Sequence, residues 1–215
     1  MPKKVKRSDP TGWWQIRFIV AHEKNQDPPW YVDALLAGEV WLPLLQQFKG
    51  EIKLWRVHRV GDTESGGHQC NFNFYCPRKT AGHIYQAAKT ASIVKQLKKT
   101  KIVLLVKCKD RRKLNPRIEA TSAPEWHPYV KKAWPNYGMG LSEMWLNLIE
   151  QLKKDTAVSK EEYVDTLLQK YQQIHENVII LWQTQGCHFL MHMAQSILGW
   201  EMVHINQPVF QFIKF

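Results

Sequence analysis

Residues 69–76 read Gln-Cys-Asn-Phe-Asn-Phe-Tyr-Cys. Cys70, Phe72, Phe74 and Cys76 alternate with Gln69, Asn71, Asn73 and Tyr75, the period of a strand whose successive side chains point to opposite faces. One face is expected to be buried and the other polar. Upstream, residues 52–60 alternate in the same way, with Ile52, Leu54, Arg56 and His58 on one side and Lys53, Trp55, Val57 and Arg59 on the other. A glycine-rich loop over 61–67 turns the chain back and makes the two strands a hairpin.

Working outward, Trp14, Ile16, Phe18 and Val20 alternate with Gln15 and Arg17 and predict a first strand. Asp27-Pro28-Pro29 is a helix-start signal: Asp27 can cap free N–H groups, and the missing N–H of Pro28 is harmless in a first turn. The helix is expected to run to about residue 48, kinked or broken near Pro43. Ile84, Ala88, Ala91 and Val94 line one side of a helix expected over 80–99, and 102–109 read as a fourth strand. Strand, helix, strand, strand, helix, strand is the order of a ferredoxin-like split βαβ sheet, so the fold class is α+β.

After Pro116 the pattern changes. Residues 124–140, with Trp126, His127, Pro128, Tyr129, Trp134, Pro135 and Tyr137, read as an irregular aromatic loop, followed by a short amphipathic helix over 141–154. Ser159-x-x-Glu162 is a capping box. It opens a long helix whose apolar side is Tyr163, Leu167, Tyr171, Ile174, Val178 and Leu181, which Gly186 can bend and Gly199 can end. Residues 202–215 look extended, a candidate final strand. The organisation expected is a basic tail (1–10), a ferredoxin-like core (11–117) and a helical extension packed on that core (118–215), one domain overall.

Hydrophobic residues make up 44% of the chain and aromatics 12%, with ten Trp, which excludes a disordered chain. No apolar run reaches the ~20 residues of a membrane span, and no h-region follows the charged tail, so a cytoplasmic protein without membrane contact is expected. Cys70, Cys76, Cys108 and Cys187 are too scattered for a disulfide framework. Nothing in the sequence asks for a cofactor.

The formal charge is +11, and between Arg78 and Arg117 thirteen Lys or Arg face one acid, Asp110. Lys107, Lys109 and Arg111 share a strand period, the preceding helix adds Lys95, Lys98 and Lys99, and Arg112 and Lys113 follow. Such a surface neutralises phosphates and releases counterions, which suits RNA, DNA or an acidic peptide, with Trp126, Trp134 and Tyr137 as candidate stacking groups. Asn71, Asn73 and Tyr75 would suit a sheet that stacks bases, although the aromatic-glycine consensus of an RNA-recognition module is absent.

A second group of residues suits acid-base work. Arg56, His58, Arg59 and His68 surround the hairpin; arginine holds carboxylates bidentately, and histidine moves protons near neutral pH. His188 and His192 stand four apart on a helix, without the intervening Glu of a metalloprotease, so no metal site is expected; a packed pair or one proton carrier is the reading. A third possibility is assembly, with the long helix as a homo-oligomer interface.

Three stretches carry a family resemblance: WWQIRFIVAHEKNQDPPWYVDALLAGEVWLPLLQQF, IKLWRVHRVGDTESGGHQCNFNF and GCHFLMHMAQSILGWE. They resemble the opening strand and helix, the next hairpin and the His-rich helix of the elimination domain of lantibiotic dehydratases, also called the thiopeptide-type bacteriocin biosynthesis domain. The resemblance implies a lyase-type removal of glutamate from a glutamylated peptide, with Arg56 or Arg59 as the hairpin arginine, His68 as the hairpin histidine, and His188 or His192 as the helix histidine. Where the family has further arginines this chain has Cys70 and Phe72, and the family's Asn-Arg pair reads Gln195-Ser196.

Overall fold

The computed structural model describes residues 9–23, 26–61, 68–110, 112–158, 163–186, 188 and 196–197. The chain divides into two compact units, Met1–Asn177 and Val178–Phe215. In the first, β1 (Thr11–Val20), β2 (Leu54–Val60), β3 (His68–Pro77) and β4 (Val103–Cys108) form an antiparallel sheet in the order β2-β3-β1-β4. Between β1 and β2 come α1 (Trp30–Leu36), a π-helical segment (Ala37–Trp41) and α2 (Leu42–Gln47); between β3 and β4 come α3 (Arg78–Thr90) and α4 (Ser92–Lys99). A 3-10 turn (Ile118–Thr121), α5 (Pro128–Asp155) and α6 (Val164–Leu181) follow, and the described part of the second unit includes a π-helical stretch, Trp182–Gly186. The protein is α+β, an antiparallel sheet with a helical C-terminal portion. Among the described residues, no helix is long and apolar enough to cross a membrane.

Strand parity and register decide what each face carries. Trp14, Ile16 and Phe18 of β1 stand opposite Phe74, Phe72 and Cys70 of β3, which stand opposite Trp55, Val57 and Arg59 of β2. This is the face the helices cover. Trp41, fully buried, stacks on Phe72 at 5.8 Å and meets Phe18 edge-on, and Tyr85 of α3 meets Phe74 edge-on. Burying each such ring removes on the order of 150–250 Å² from contact with water and dominates the core energy.

Several elements depart from expectation. β3 is buried on both faces, Asn71 and Asn73 included, because it is an inner strand and Arg17 and Gln15 of β1 lie hydrogen-bonded across those amides. Asp27 caps nothing: α1 starts at Trp30 with Pro29 at its N-cap and no side-chain cap. The single helix expected over 80–99 is two, parted at Ala91, whose ψ of 132° is extended; neither Gly nor Pro marks the break. The largest departure is at 124–140, where α5 begins at Pro128 and runs 28 residues. Pro128 occupies the first turn, where proline is favoured, and His127 accepts from the Tyr129 N–H. Pro135 leaves the Lys131 carbonyl without its helical donor, and the Ser122 hydroxyl donates to that carbonyl instead at 2.9 Å.

Both sheet edges are managed. α5 lies along β2, where the Val57 N–H donates to Ser142 Oγ at 3.0 Å and that hydroxyl donates to the Gly138 carbonyl. The β4 edge carries a register shift opposite Ile19 and Val20, a bulge of the kind that disfavours edge-to-edge pairing. The capping box at 159–162 and the final strand at 202–215 lie outside the described residues.

Gly38, in the π-helical segment, is fixed by packing. A Cβ there would stand 2.1 Å from the Tyr171 hydroxyl, and that hydroxyl donates to Glu39 at 2.6 Å while Lys153 also pairs with Glu39. Gly38→Ala is expected to lower unfolding free energy by about 1–3 kcal/mol through overpacking. Urea titration checks this, and Gly38→Ala/Tyr171→Phe should recover part of the loss.

Candidate functional site

α1 carries Asp33 in its first turn, inside the apolar run Val32 to Leu36, and turns its carboxylate inward onto the sheet. There β2 and β3 present Arg59 and His68. Arg59 Nε donates to Asp33 Oδ2 at 2.9 Å, and His68 Nε2 lies 2.7 Å from Asp33 Oδ1. The Arg59 guanidinium also donates to the Trp30 carbonyl and sits between the Trp30 and Trp145 rings, 4.5 and 5.2 Å from their centroids. Asp33 and His68 are fully buried, whereas the Arg59 side chain keeps 24% of its surface exposed. His68 Nδ1 has no hydrogen-bond partner among the described residues.

Asp33 engages Arg59 and His68 together, and the full burial of His68 keeps it from meeting a carboxylate from solution, while part of the Arg59 side chain reaches the surface. Burial, and then the Asp33 charge, push the Cys70 thiol well above its ordinary range, which leaves it protonated and unreactive. Burial, and then the Arg59 charge, push His175 of α6 down to about 4, so it is neutral at pH 7.

The sheet brings together two members of the expected catalytic set. Arg59 and His68 meet, but Arg56 leaves β2 on the opposite face, as residues three apart on a strand must. His188 belongs to the second unit, and His192 lies outside the described residues. Among the described residues no group of three or more His, Cys, Asp or Glu is placed to hold a metal ion.

The opposite face of the sheet is polar and cationic. One cross-strand row reads Lys107, Arg17, Asn71, His58 from β4 to β2, and the next pairs Gln15, Asn73 and Arg56, with the Lys109 N–H bonded to the Gln15 carbonyl. Neither row contains a carboxylate. The amides are committed to one another: Arg17 donates to Asn71 Oδ1 and Gln15 Oε1, Gln15 donates to Asn73 Oδ1, and Asn71 donates to the His58 carbonyl. That network fixes Arg17, while Lys107 and His58 are exposed. Partial desolvation, and then the Arg56 charge, hold His58 below its ordinary value.

The basic segment does not form one surface. Lys95, Lys98 and Lys99 are exposed on α4, which packs by Val94 and Leu97 on the other side of the sheet from Lys107. Lys109 turns back and donates to the Trp13 carbonyl at 3.0 Å, with burial lowering its pKa. Arg112 pairs with Asp110, whose carboxyl it holds down at about 2, Lys113 is exposed, and Arg111 lies outside the described residues.

Arg56 closes the cationic face at its β2 end. Its guanidinium donates to the Thr121 carbonyl at 3.3 Å, burial lowers its pKa, and its Nε and Thr121 Oγ1 are both buried without partners among the described residues. Gly138 of α5 rests on its aliphatic stem. The same stretch of chain carries three linked rings: Trp126 edge-on to Trp134 at 4.8 Å, and Trp134 tilted 35° to Tyr137 at 5.5 Å.

Asp33→Asn is expected to reduce unfolding free energy by about 3 kcal/mol, since it leaves Arg59 largely buried beside a neutral amide; chemical denaturation measures this. The sign for His175 follows from its lowered pKa. Between 6.5 and about 4 the unfolded chain binds the proton and the folded chain does not, so stability present above 6.5 is lost as pH falls through that window. His175→Gln should flatten the stability slope there relative to the parent, as read by denaturation at a series of pH values. No family model, curated protein or solved structure matches the chain.

Proposed function

We propose that the chain is a nucleic-acid-binding module whose ligand lies across the open face of the sheet. The observation that supports this most is the carboxylate-free pair of rows carrying Lys107, Arg17, His58 and Arg56, with Arg17 held in place by amides that are already hydrogen-bonded. Arg17, fixed on the sheet, can neutralise a phosphate without first having to be ordered, and the exposed Lys107 beside it adds a second cation. The overall charge of +11 adds long-range attraction. The strand order and the helices between β1 and β2 and between β3 and β4 support a ferredoxin-like description of this scaffold.

Glutamate elimination from an acidic peptide is the weaker reading. It asks Arg59 and His68 to meet a substrate, and Asp33 engages both inside the core.

The test is the affinity of the purified chain for a labelled oligonucleotide over a range of salt. Log affinity is expected to fall linearly with log salt, by about 0.7 per neutralised phosphate on a single strand. Lys107→Glu should weaken binding at least about tenfold and lower the slope by about one phosphate or more. Lys98→Glu on α4 should have a several-fold smaller effect. Equal affinities for the parent and Lys107→Glu would remove the sheet face from consideration.

A further inference from the structure

We propose that the nucleic acid held on the sheet is single-stranded, and that Tyr137 and Trp134 at the start of α5 stack on its unpaired bases. The inference rests on the binding reading above and adds the strand type and the residues that recognise it. The start of α5 is pinned beside the cationic face: Gly138 rests on Arg56, and Met139 packs on the Trp13, Leu54 and Tyr75 cluster that ends that face. Trp134 precedes Gly138 by about one helical turn, roughly 5–6 Å along the axis, and Tyr137 is the residue immediately before it. Trp134, four residues before Gly138, shares the side of α5 that meets Arg56, and Tyr137 lies 5.5 Å from Trp134.

They are also ready to stack. Tyr137 is 55% exposed, an aromatic ring kept in water although its neighbour Trp134 is only 5.5 Å away. Trp126 meets Trp134 edge-on at 4.8 Å, so the pair is held without a ligand. The helix beneath is fixed by the Ser142 bond to Val57 and the Ser122 bond to Lys131. From β2 to β4 the sheet is three strand spacings wide, about 14 Å, which lets a single strand run from Arg56 to Lys107 with several phosphates in reach. The internal commitment of Gln15, Asn71 and Asn73 leaves these side chains little capacity to read base edges, so recognition by stacking should tolerate any sequence. A duplex keeps its bases stacked inside and offers these rings nothing but a backbone.

The experiment uses the full chain with three probes at one salt concentration: an oligothymidylate, an abasic strand with the same number of phosphates, and a duplex of the same length. The oligothymidylate is expected to bind about 5- to 150-fold tighter than the abasic strand, the range for one stacked base. Tyr137→Ala should bring the oligothymidylate down toward the abasic value while leaving abasic binding unchanged, and Tyr137→Phe should keep the preference. Salt-sensitive binding with equal affinity for base-bearing and abasic strands would overturn the stacking inference and leave the cationic face standing. A duplex bound as tightly as the single strand would overturn it too, and failure to bind any of the three would overturn both.

Discussion

A carboxylate with no access to water holds this fold in register. Asp33 ties α1 to two neighbouring strands at once, through Arg59 on β2 and His68 on β3. A charge that deep is tolerable only because both oxygens are engaged by cationic or polar partners. Its effect reaches beyond its own contacts. With Arg59 committed to the helix-covered face, alternation sends Arg56 and His58 to the other face, where they join Arg17 and Lys107. A slip of one residue in β2 would withdraw Arg59 from Asp33 and reverse every side chain of the strand. The interior ion cluster thus selects which side chains of β2 the exterior displays.

The same division explains why a sheet that is apolar on one side carries an ordered polar network on the other. Asn71 and Asn73 are as buried as many core residues, and each amide satisfies a neighbour on β1. Arg17 is consequently a fixed charge, whereas a lysine on α4 is free to swing. α5 completes this face, because Gly138 rests on Arg56 and Met139 packs on Trp13, Leu54 and Tyr75.

Much of the sheet was legible in the sequence. The period-two runs at 14–20, 52–60 and 69–76 identify β1, β2 and β3, and the apolar side Leu167, Tyr171 and Ile174 identifies the buried stripe of α6. What escaped depends on partners far along the chain. Pro135 reads as a helix breaker until Ser122 is seen to bond the carbonyl it strands. The thirteen basic residues of 78–117 read as one surface because a count along the chain ignores which side of the sheet each reaches. Asp33 left one faint trace, a lone acid in the run Val-Asp-Ala-Leu-Leu, but its two partners are 26 and 35 residues away and local pattern does not name them.

The bond between Ser122 and the Lys131 carbonyl also couples two stretches in time. Without the 3-10 turn in place, the opening turns of α5 lack the donor that compensates for Pro135. Without the helix, Thr121 and Arg56 lose the surface that encloses them. The two stretches should therefore open and close as a single cooperative unit, with amides in both exchanging hydrogen at a common rate distinct from that of the central strands. The start of α5 and the Arg56 end of the sheet come into being together.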